Sequence, residues 1–144
     1  MKVTNIQSLK NILSENGYKI TKAREDTFSV LLSPEPQSMA ALIDKAHDKV
    51  DRVTMYRNID LFEKLGIVNR IYVGWKYKLE LSDSFMEHHH HLSCLSCGKV
   101  IDIEDEQHIN EFIKSVTDKF NFTPRHHQFE IDGFCNVCSE SKKS

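Results

Sequence analysis

Residues 51–68, DRVTMYRNIDLFEKLGIV, decide the predicted fold of the first half of the chain. Asp51 is a typical helix N-cap, and Met55, Ile59 and Phe62 recur at helical spacing behind it. Gly66 then suits the left-handed position that follows a helix end. The stretch therefore predicts a helix with one apolar face, here the fourth helix of the chain.

Two short extended segments follow this helix, IVNRIYV and WKYKLEL, with Gly74 between them. In the second, Trp75, Tyr77, Leu79 and Leu81 alternate with charged residues, which predicts a strand with one buried face. Its charged face would carry Lys76, Lys78 and Glu80.

Three helices are predicted before this stretch. The first ends at Gly17, the second is capped by Thr21 and stopped by the prolines of 33–36, and Ser38 opens the third. Helices followed by a two-stranded ribbon are typical of a winged helix-turn-helix, with the fourth helix in the DNA major groove and the hairpin as the wing. An unspecialised helical domain with a hairpin is the alternative.

The second half has another organisation. HHLSC and KVIDI are predicted strands, 106–120 a helix and 126–134 a third strand, with only the SESKKS tail disordered. We predict an α+β protein with a winged-helix domain over 1–82, a hinge over 83–87, and a small α/β dimerisation domain with a three-stranded sheet over 88–144.

The composition limits the class of protein. The 144 residues are 40% hydrophobic with a net charge of −2, and a window long and apolar enough to span a membrane is lacking. Residues 1–84 hold 13 Lys and Arg against 11 Asp and Glu, whereas residues 85–144 hold 6 against 10. The chain starts without an export signal, so we expect a cytoplasmic protein with reduced thiols.

Four cysteines form two Cys-x-x-Cys pairs, Cys94/Cys97 and Cys135/Cys138. Two such knuckles can surround one Zn²⁺ tetrahedrally, and a closed site of four thiolates stabilises a fold and does not catalyse. Alternatives are a thioredoxin-like redox pair and four buried thiols without metal.

Residues 88–91 are four consecutive histidines. In a strand, the period of two would send His88 and His90 to one side and His89 and His91 to the other, so that two sites could each receive two imidazoles. A tag or a solvated loop is the alternative. Further donors are His126 and His127 and the carboxylates of Glu80, Asp102, Glu104 and Glu111, a set that suits Zn²⁺, Fe²⁺, Mn²⁺ or Co²⁺.

The chain resembles the ferric-uptake-regulator family of bacterial metal-dependent repressors over about residues 5–140. The matching stretches are ITKAR (20–24), VTMYRNIDLFEKLGIV (53–68), HHHHLSCLSCGKVIDI (88–103), HHQFEIDGFC (126–135) and the last Cys-x-x-Cys. The resemblance implies a structural zinc on the cysteines, a regulatory metal at the hinge, and base or phosphate contacts by Tyr56 and Arg57. The full set of candidate DNA-binding residues is Thr21, Arg24, Arg52, Thr54, Tyr56 and Arg57.

The resemblance also implies which residues hold the regulatory metal, and it implies one further metal site. Glu80, His89 and His91 fall on the interdomain site, with Asp102 as a further donor, and His88, His90 and His127 fall on a second site to which we add Glu111. Relatives often supply another His after the second helix, where this chain has Pro34, Glu35, Pro36 and Gln37. The regulatory metal is predicted as Fe²⁺ ahead of Zn²⁺, with Mn²⁺ as a further candidate.

These features favour a homodimeric, metal-activated transcriptional repressor that binds a near-palindromic double-stranded operator, with association beyond the dimer left open. Zinc-type and peroxide-type sensors of the same family are alternatives. Two rivals from other classes are a zinc metalloenzyme and a zinc-stabilised interaction module. HExxH is absent from the sequence, and the metalloenzyme hypothesis gives the upstream helices no role, so an enzyme is not expected.

Overall fold

A computed structural model describes residues 2–86, 89–103, 106–125 and 127–142; for 2–4, 106, 141 and 142 it describes the backbone only. The chain forms two compact units, Met1–His88 and His89–Ser144. The helices of the first unit are α1 (Lys2–Glu15), α2 (Lys22–Leu31), α3 (Met39–Lys45) and α4 (Arg52–Lys64), and its strands are β1 (Val68–Val73) and β2 (Lys76–Leu81). The elements of the second unit are β3 (His90–Cys94), β4 (Val100–Ile103), α5 (Glu106–Lys119), β5 (Glu130–Gly133) and α6 (Asn136–Lys142).

The predicted caps of α2 and α4 are confirmed. The Thr21 side chain accepts a hydrogen bond from the Arg24 backbone N–H at 3.2 Å, and the Asp51 carboxylate accepts one from the Thr54 N–H at 2.8 Å. Gly66, with φ of 74°, takes the left-handed position after α4. Side-chain caps satisfy backbone donors that have no partner within the helix, so both helices begin where the sequence predicted.

The inward face of α4 is also as predicted. Met55, Ile59 and Phe62 are completely buried, and the core of the first unit forms around them from all four helices and the hairpin. Asn58 lies on the same face and donates a hydrogen bond to the Thr27 hydroxyl at 3.0 Å. This polar contact joins α4 to α2 between buried side chains.

The hairpin of β1 and β2 is antiparallel, and Val73 pairs with Lys76 across its tip. Trp75 therefore lies in the two-residue turn, 93% exposed, and the prediction that it belongs to the buried face of a strand is wrong. Alternation also fails at Glu80, which is buried although it was predicted on the charged face. Gln37 pairs with Leu79 through two backbone hydrogen bonds, so a third piece of chain extends this ribbon.

Arg70 joins the hairpin to α4. Its guanidinium donates to Glu63 at 2.6 Å and to Asp60 at 3.1 Å, and it lies 4.5 Å from the centre of the Tyr77 ring. The Arg70 side chain is only 17% exposed, so its ion pairs with these two carboxylates are partly shielded from solvent.

The predicted hinge, 83–87, begins with residues that pack on the first unit. Phe85 is 9% exposed, and its ring packs edge-on against that of Phe28, with the ring centres 5.1 Å apart. The Phe85 and Met86 backbone N–H groups both donate to the Ser82 carbonyl oxygen. Glu87 lies outside the described residues.

The second unit contains a three-stranded sheet, as predicted, and its strand order is β4-β3-β5. β3 pairs antiparallel with β4 and parallel with β5. The last strand is shorter than predicted because it begins at Glu130, which leaves His127 before it. The prediction of a disordered tail is wrong for Ser139–Lys142, because these residues continue α6. No described helix has the length and apolar character needed to cross a membrane.

Candidate metal sites and nucleic-acid interface

The four cysteines converge at one end of the sheet. Cys94 is the last residue of β3, and Cys97 follows in the turn towards β4. Cys135 lies between β5 and α6, and Cys138 lies in the first turn of α6. All four sulfur atoms lie within 4.8 Å of one another, and Cys97 Sγ lies 3.9 Å from Cys135 Sγ. Tetrahedral Zn–S bonds of about 2.3 Å would place the sulfurs about 3.8 Å apart, so the group fits a zinc ion.

The backbone around the cysteines favours thiolate at one position. The N–H groups of Cys97 and Cys135 point at Cys94 Sγ from 3.5 and 3.4 Å, and these hydrogen bonds lower the pKa of Cys94 to about 6. The backbone N–H of Cys138 likewise lowers the pKa of Cys135. Zinc is bound by thiolate and not by thiol, so these donors prepare the site for a cation.

A second group of donors lies at the start of β3. The His89 and His91 rings meet edge-on, with their centres 4.7 Å apart. Their Nε2 atoms lie 3.8 and 3.7 Å from the same oxygen of Asp102, the residue opposite His91 in β4. Glu130, opposite His91 in β5, brings a carboxylate oxygen to 3.9 Å from His91 Nδ1. Imidazole and carboxylate donors this close fit a divalent cation of the first transition row.

Glu130 was not among the predicted site residues. Its signal is its parallel register with His91, and register between distant strands is set by tertiary pairing and not by local sequence. Glu80, predicted for the same metal as His89 and His91, lies in the first unit at the end of β2.

The described histidines of the run, 89–91, alternate as the strand period predicts. The His90 ring lies on the other side of β3, with its centre 5.2 Å from His127 and 5.8 Å from Phe129. Glu111, predicted for this second site, is exposed on α5 and accepts a hydrogen bond from Gln107 at 3.2 Å. His90 and His127 are brought together, whereas His88, His126 and Glu104 lie outside the described residues.

The predicted DNA-binding residues lie at the beginnings of α2 and α4. Arg52 and Arg57 are exposed on α4, with Tyr56 37% exposed between them and the Arg52 guanidinium 5.8 Å from its ring centre. Thr54 is half-buried, and its backbone N–H donates a hydrogen bond to the Asp51 carboxylate. On α2, Arg24 donates to the Lys19 carbonyl oxygen at 2.6 Å, and Thr21 caps the helix. On α4, Arg52, Tyr56 and Arg57 present polar groups on the side away from the core.

Comparison with known proteins places these features in a family. Residues 15–132 match the model of the ferric uptake regulator family. The chain is 29% identical to the ferric uptake regulation protein of Bacillus subtilis over 93% of this chain and 94% of the relative. It is 30% identical to the peroxide-responsive repressor PerR of Staphylococcus saprophyticus, over 94% of this chain and 89% of the relative.

Two solved structures share the fold. The ferric uptake regulator of Helicobacter pylori, described as having three functional metal-binding sites, is 25% identical, with a TM-score of 0.76 over 99% of this chain and 96% of that one. The Vibrio cholerae ferric uptake regulator, described as showing rearrangement of its DNA-binding domains, is 34% identical, with a TM-score of 0.70 over 91% of this chain and 99% of that one.

Proposed function

The chain belongs to the ferric uptake regulator family, and on that premise we propose that it represses metal-homeostasis genes in the cytoplasm when a divalent metal is bound. Members of this family are metal-responsive regulators of transcription that act as dimers, and they are not enzymes. The observation that carries the proposal is the pairing of a winged helix with two chemically different groups of metal donors in one chain.

The four cysteines would hold a structural zinc. Their sulfurs are close enough for tetrahedral coordination, and four thiolates leave no open position for a substrate or a sensed ligand. In zinc knuckles the free energy of metal binding contributes directly to folding. This site therefore maintains the dimerisation domain and does not respond to metal supply.

The regulatory site would be formed by His89, His91 and Asp102, with Glu80 from the wing as a fourth ligand. When bound, the divalent cation supplies a positive charge and a coordination shell that both domains can share. Glu80 belongs to β2 of the DNA-reading unit, whereas the histidines begin the dimerisation domain. A ligand set drawn from both would restrict the hinge and so favour the arrangement in which two winged helices fit one operator, typically by about 1–3 kcal/mol of coupling.

We infer that iron is the physiological metal, ahead of zinc, with Mn²⁺ as a further candidate. The regulatory donors are nitrogen and oxygen, without the thiolates that select strongly for zinc. Zinc-type and peroxide-type sensing are the alternatives within the family. Metal content and metal-dependent operator binding, measured on protein purified from its native cells, separate iron-dependent from zinc-dependent regulation.

His90 and His127 would belong to a second site in the dimerisation domain, with His88 and Glu111 as the other candidates. The ring contact between His90 and His127 supports this grouping. Glu111 accepts a hydrogen bond from Gln107 on the same helix, so its place in this site rests on the resemblance alone.

The operator would be a near-palindrome, because a dimer presents two copies of α4 related by twofold symmetry. Arg57 is exposed on α4 and can reach a guanine edge or a phosphate oxygen. Arg57→Ala should weaken binding by about 1–3 kcal/mol and relax specificity at one position per half-site if Arg57 reads a base. An equal loss of affinity for all DNA sequences, with a weaker dependence on salt concentration, would indicate that Arg57 contacts phosphate. Unchanged binding would contradict the proposal that α4 contacts the bases.

The regulatory site is tested with the double variant His89→Ala/His91→Ala. We expect it to stay dimeric and to keep its cysteine-bound zinc, while operator binding loses its dependence on added Fe²⁺, Mn²⁺ or Zn²⁺. The control is His47→Ala, which removes an exposed imidazole that contacts Asp44 and Asp48 in the first unit. A double variant with the metal dependence of the wild type would show that this site is not the switch, and His90 and His127 would become the better candidates.

A further inference from the structure

The tip of the wing exposes the only tryptophan of the chain. Trp75 is 93% exposed, more than any other large hydrophobic residue that the structure describes. Gly74, with φ of 66°, supplies the positive φ that type II′ hairpin turns require at their first central position. The turn therefore places the indole at the end of the hairpin and turns it away from the core.

The wing presents this tip from a fixed position. Arg70 contacts Glu63 and Asp60 of α4 and also lies over the Tyr77 ring. The Tyr72 and Tyr77 rings pack edge-on, with their centres 6.4 Å apart. Six-residue strands carry the tip roughly 20 Å from the base of the hairpin. These contacts connect the hairpin that carries Trp75 to α4.

The charge around the tip identifies the class of partner. Residues 69–79 contain Arg70, Lys76 and Lys78 and have no acidic residue. The nearest carboxylates on α4, those of Asp60 and Glu63, are engaged by Arg70. An aromatic side chain among lysines is the composition that binds nucleic acid, since the cations meet phosphates and the ring stacks on a base or packs against sugars.

We propose that Trp75 and Lys76 form a second DNA contact, in which the indole enters the minor groove beside the major groove read by α4 and Lys76 binds the flanking phosphates. The minor groove is about 6 Å wide, which admits a single side chain from a hairpin tip and not a helix. Apolar side chains that enter this groove partly unstack a base step, and such steps are easiest to open where the sequence is flexible. The wing would therefore add a preference for flexible base steps flanking each half-site. This inference rests on the proposed DNA-binding function.

Fluorescence tests the contact directly, because Trp75 is the only tryptophan and its emission reports the wing tip alone. The probe is a duplex of about 30 bp, three helical turns, selected by the wild-type protein from a randomised library in Zn²⁺-supplemented buffer. Zn²⁺ is chosen because it undergoes no redox chemistry. We expect saturating duplex to shift or quench the Trp75 emission and to protect it from acrylamide, whereas acrylamide should quench it freely without DNA.

Two variants complete the experiment. Trp75→Ala should weaken binding about fivefold or more, while Trp75→Phe should retain most of the affinity. Lys76→Ala should reduce the slope of log affinity against log salt concentration by about one to two, because a dimer carries two wings. Lys114→Ala, on the exposed face of α5, is the control and should bind as the wild type does.

The outcomes separate this inference from the proposed function. A wild-type protein that selects no duplex would contradict the DNA-binding function itself. A duplex that binds with unchanged Trp75 emission and quenching, or that Trp75→Ala binds at full affinity, would overturn the wing contact and leave α4 as the reader. Melting temperatures establish that each variant is folded.

Discussion

At the scale of single residues, the cysteine site shows why its sulfurs need a cation. Without metal the four thiols do not ionise alike, since hydrogen bonds from two backbone N–H groups lower the pKa of Cys94 to about 6. The pKa of Cys138 is raised to about 11, because a hydrogen bond with Ser96 that lowers it is outweighed by those with the other cysteines and by burial. A doubly charged ion removes this conflict, since it stabilises all four thiolates together.

Replacing one cysteine ligand should therefore abolish zinc binding and not merely lower the affinity for zinc. Cys97→Ser should lose the tightly held zinc ion of each chain, together with several kcal/mol of folding free energy that metal binding supplies. Metal analysis after gel filtration and a thermal melt measure the two effects. Lys99→Ala, an exposed residue of the same turn, is the matched control. A Cys97→Ser protein with full zinc content and an unchanged melting temperature would contradict a four-cysteine site.

The sequence predicts residues of the sites when their geometry is local. The two-residue gap inside each Cys-x-x-Cys and the period of two along β3 already fix which side chains share a side. The approach of Asp102 and Glu130 to His91 depends on strand register, which the sequence does not state. Asp102 was predicted as a further donor to the regulatory site, and Glu130 was missed.

At the scale of the element, α4 depends on the charge of its cap. The Thr54 backbone N–H donates to the Asp51 carboxylate and holds the pKa of Asp51 below its ordinary value of 3.8. Since the folded pKa is the lower one, Asp51 contributes stability above its unfolded pKa, and this contribution is lost as the pH falls through the folded pKa. The first turn of α4 should therefore be less stable in acid.

The variant Asp51→Asn isolates this effect, because asparagine also caps helices but carries no charge. Wild type should be more stable than Asp51→Asn at pH 7, and the difference should shrink towards zero as the pH falls below about 3.8. Urea unfolding of both proteins across that range measures the difference, and metal loss at low pH affects both alike. A difference that does not depend on pH would show that the charge of Asp51 contributes nothing.

The elements that the sequence predicts well are those with local signals, such as the capped helices α2 and α4 and the hairpin. Trp75 was misassigned because alternation continues past the strand end, and only the Val73–Lys76 pairing shows where the turn lies. The bridge between Gln37 and Leu79 joins residues far apart in the chain, so no local pattern signals it. Helix α6 was missed because SESKKS is polar and the only apolar residues of the helix are Val137 and Cys138.

At the scale of the whole molecule, the two units differ in how they bury apolar surface. Of the buried hydrophobic residues that the structure describes, all but Cys94 lie in the first unit. The second unit exposes large apolar side chains from its helix, strands and connections. They are Leu95, Ile101, Phe112, Val116, Phe120, Phe122, Phe129, Ile131, Phe134 and Val137. Exposed apolar surface on this scale marks a protein interface, so we expect a second copy of this unit to cover it in the dimer.

The dimer should therefore depend on the apolar face of α5. Phe112 is 68% exposed, and Val116, one turn further along the same face, is 40% exposed. Burying an aromatic side chain contributes about 1.5–3 kcal/mol, and a symmetric dimer buries it twice. Phe112→Ala should then raise the dimer Kd by roughly two to four orders of magnitude.

Sedimentation equilibrium over a range of concentrations measures this Kd. Lys114→Ala is the matched control, because Lys114 lies on the opposite face of α5 and pairs with Asp118 at 2.7 Å. Zinc content should be unchanged in both variants, since neither residue contacts the cysteines. Operator affinity of Phe112→Ala should fall at protein concentrations where the dimer dissociates and recover as the concentration rises. A Phe112→Ala protein that dimerises like the wild type would place the interface elsewhere, because so large an exposed ring contributes strongly wherever it is buried.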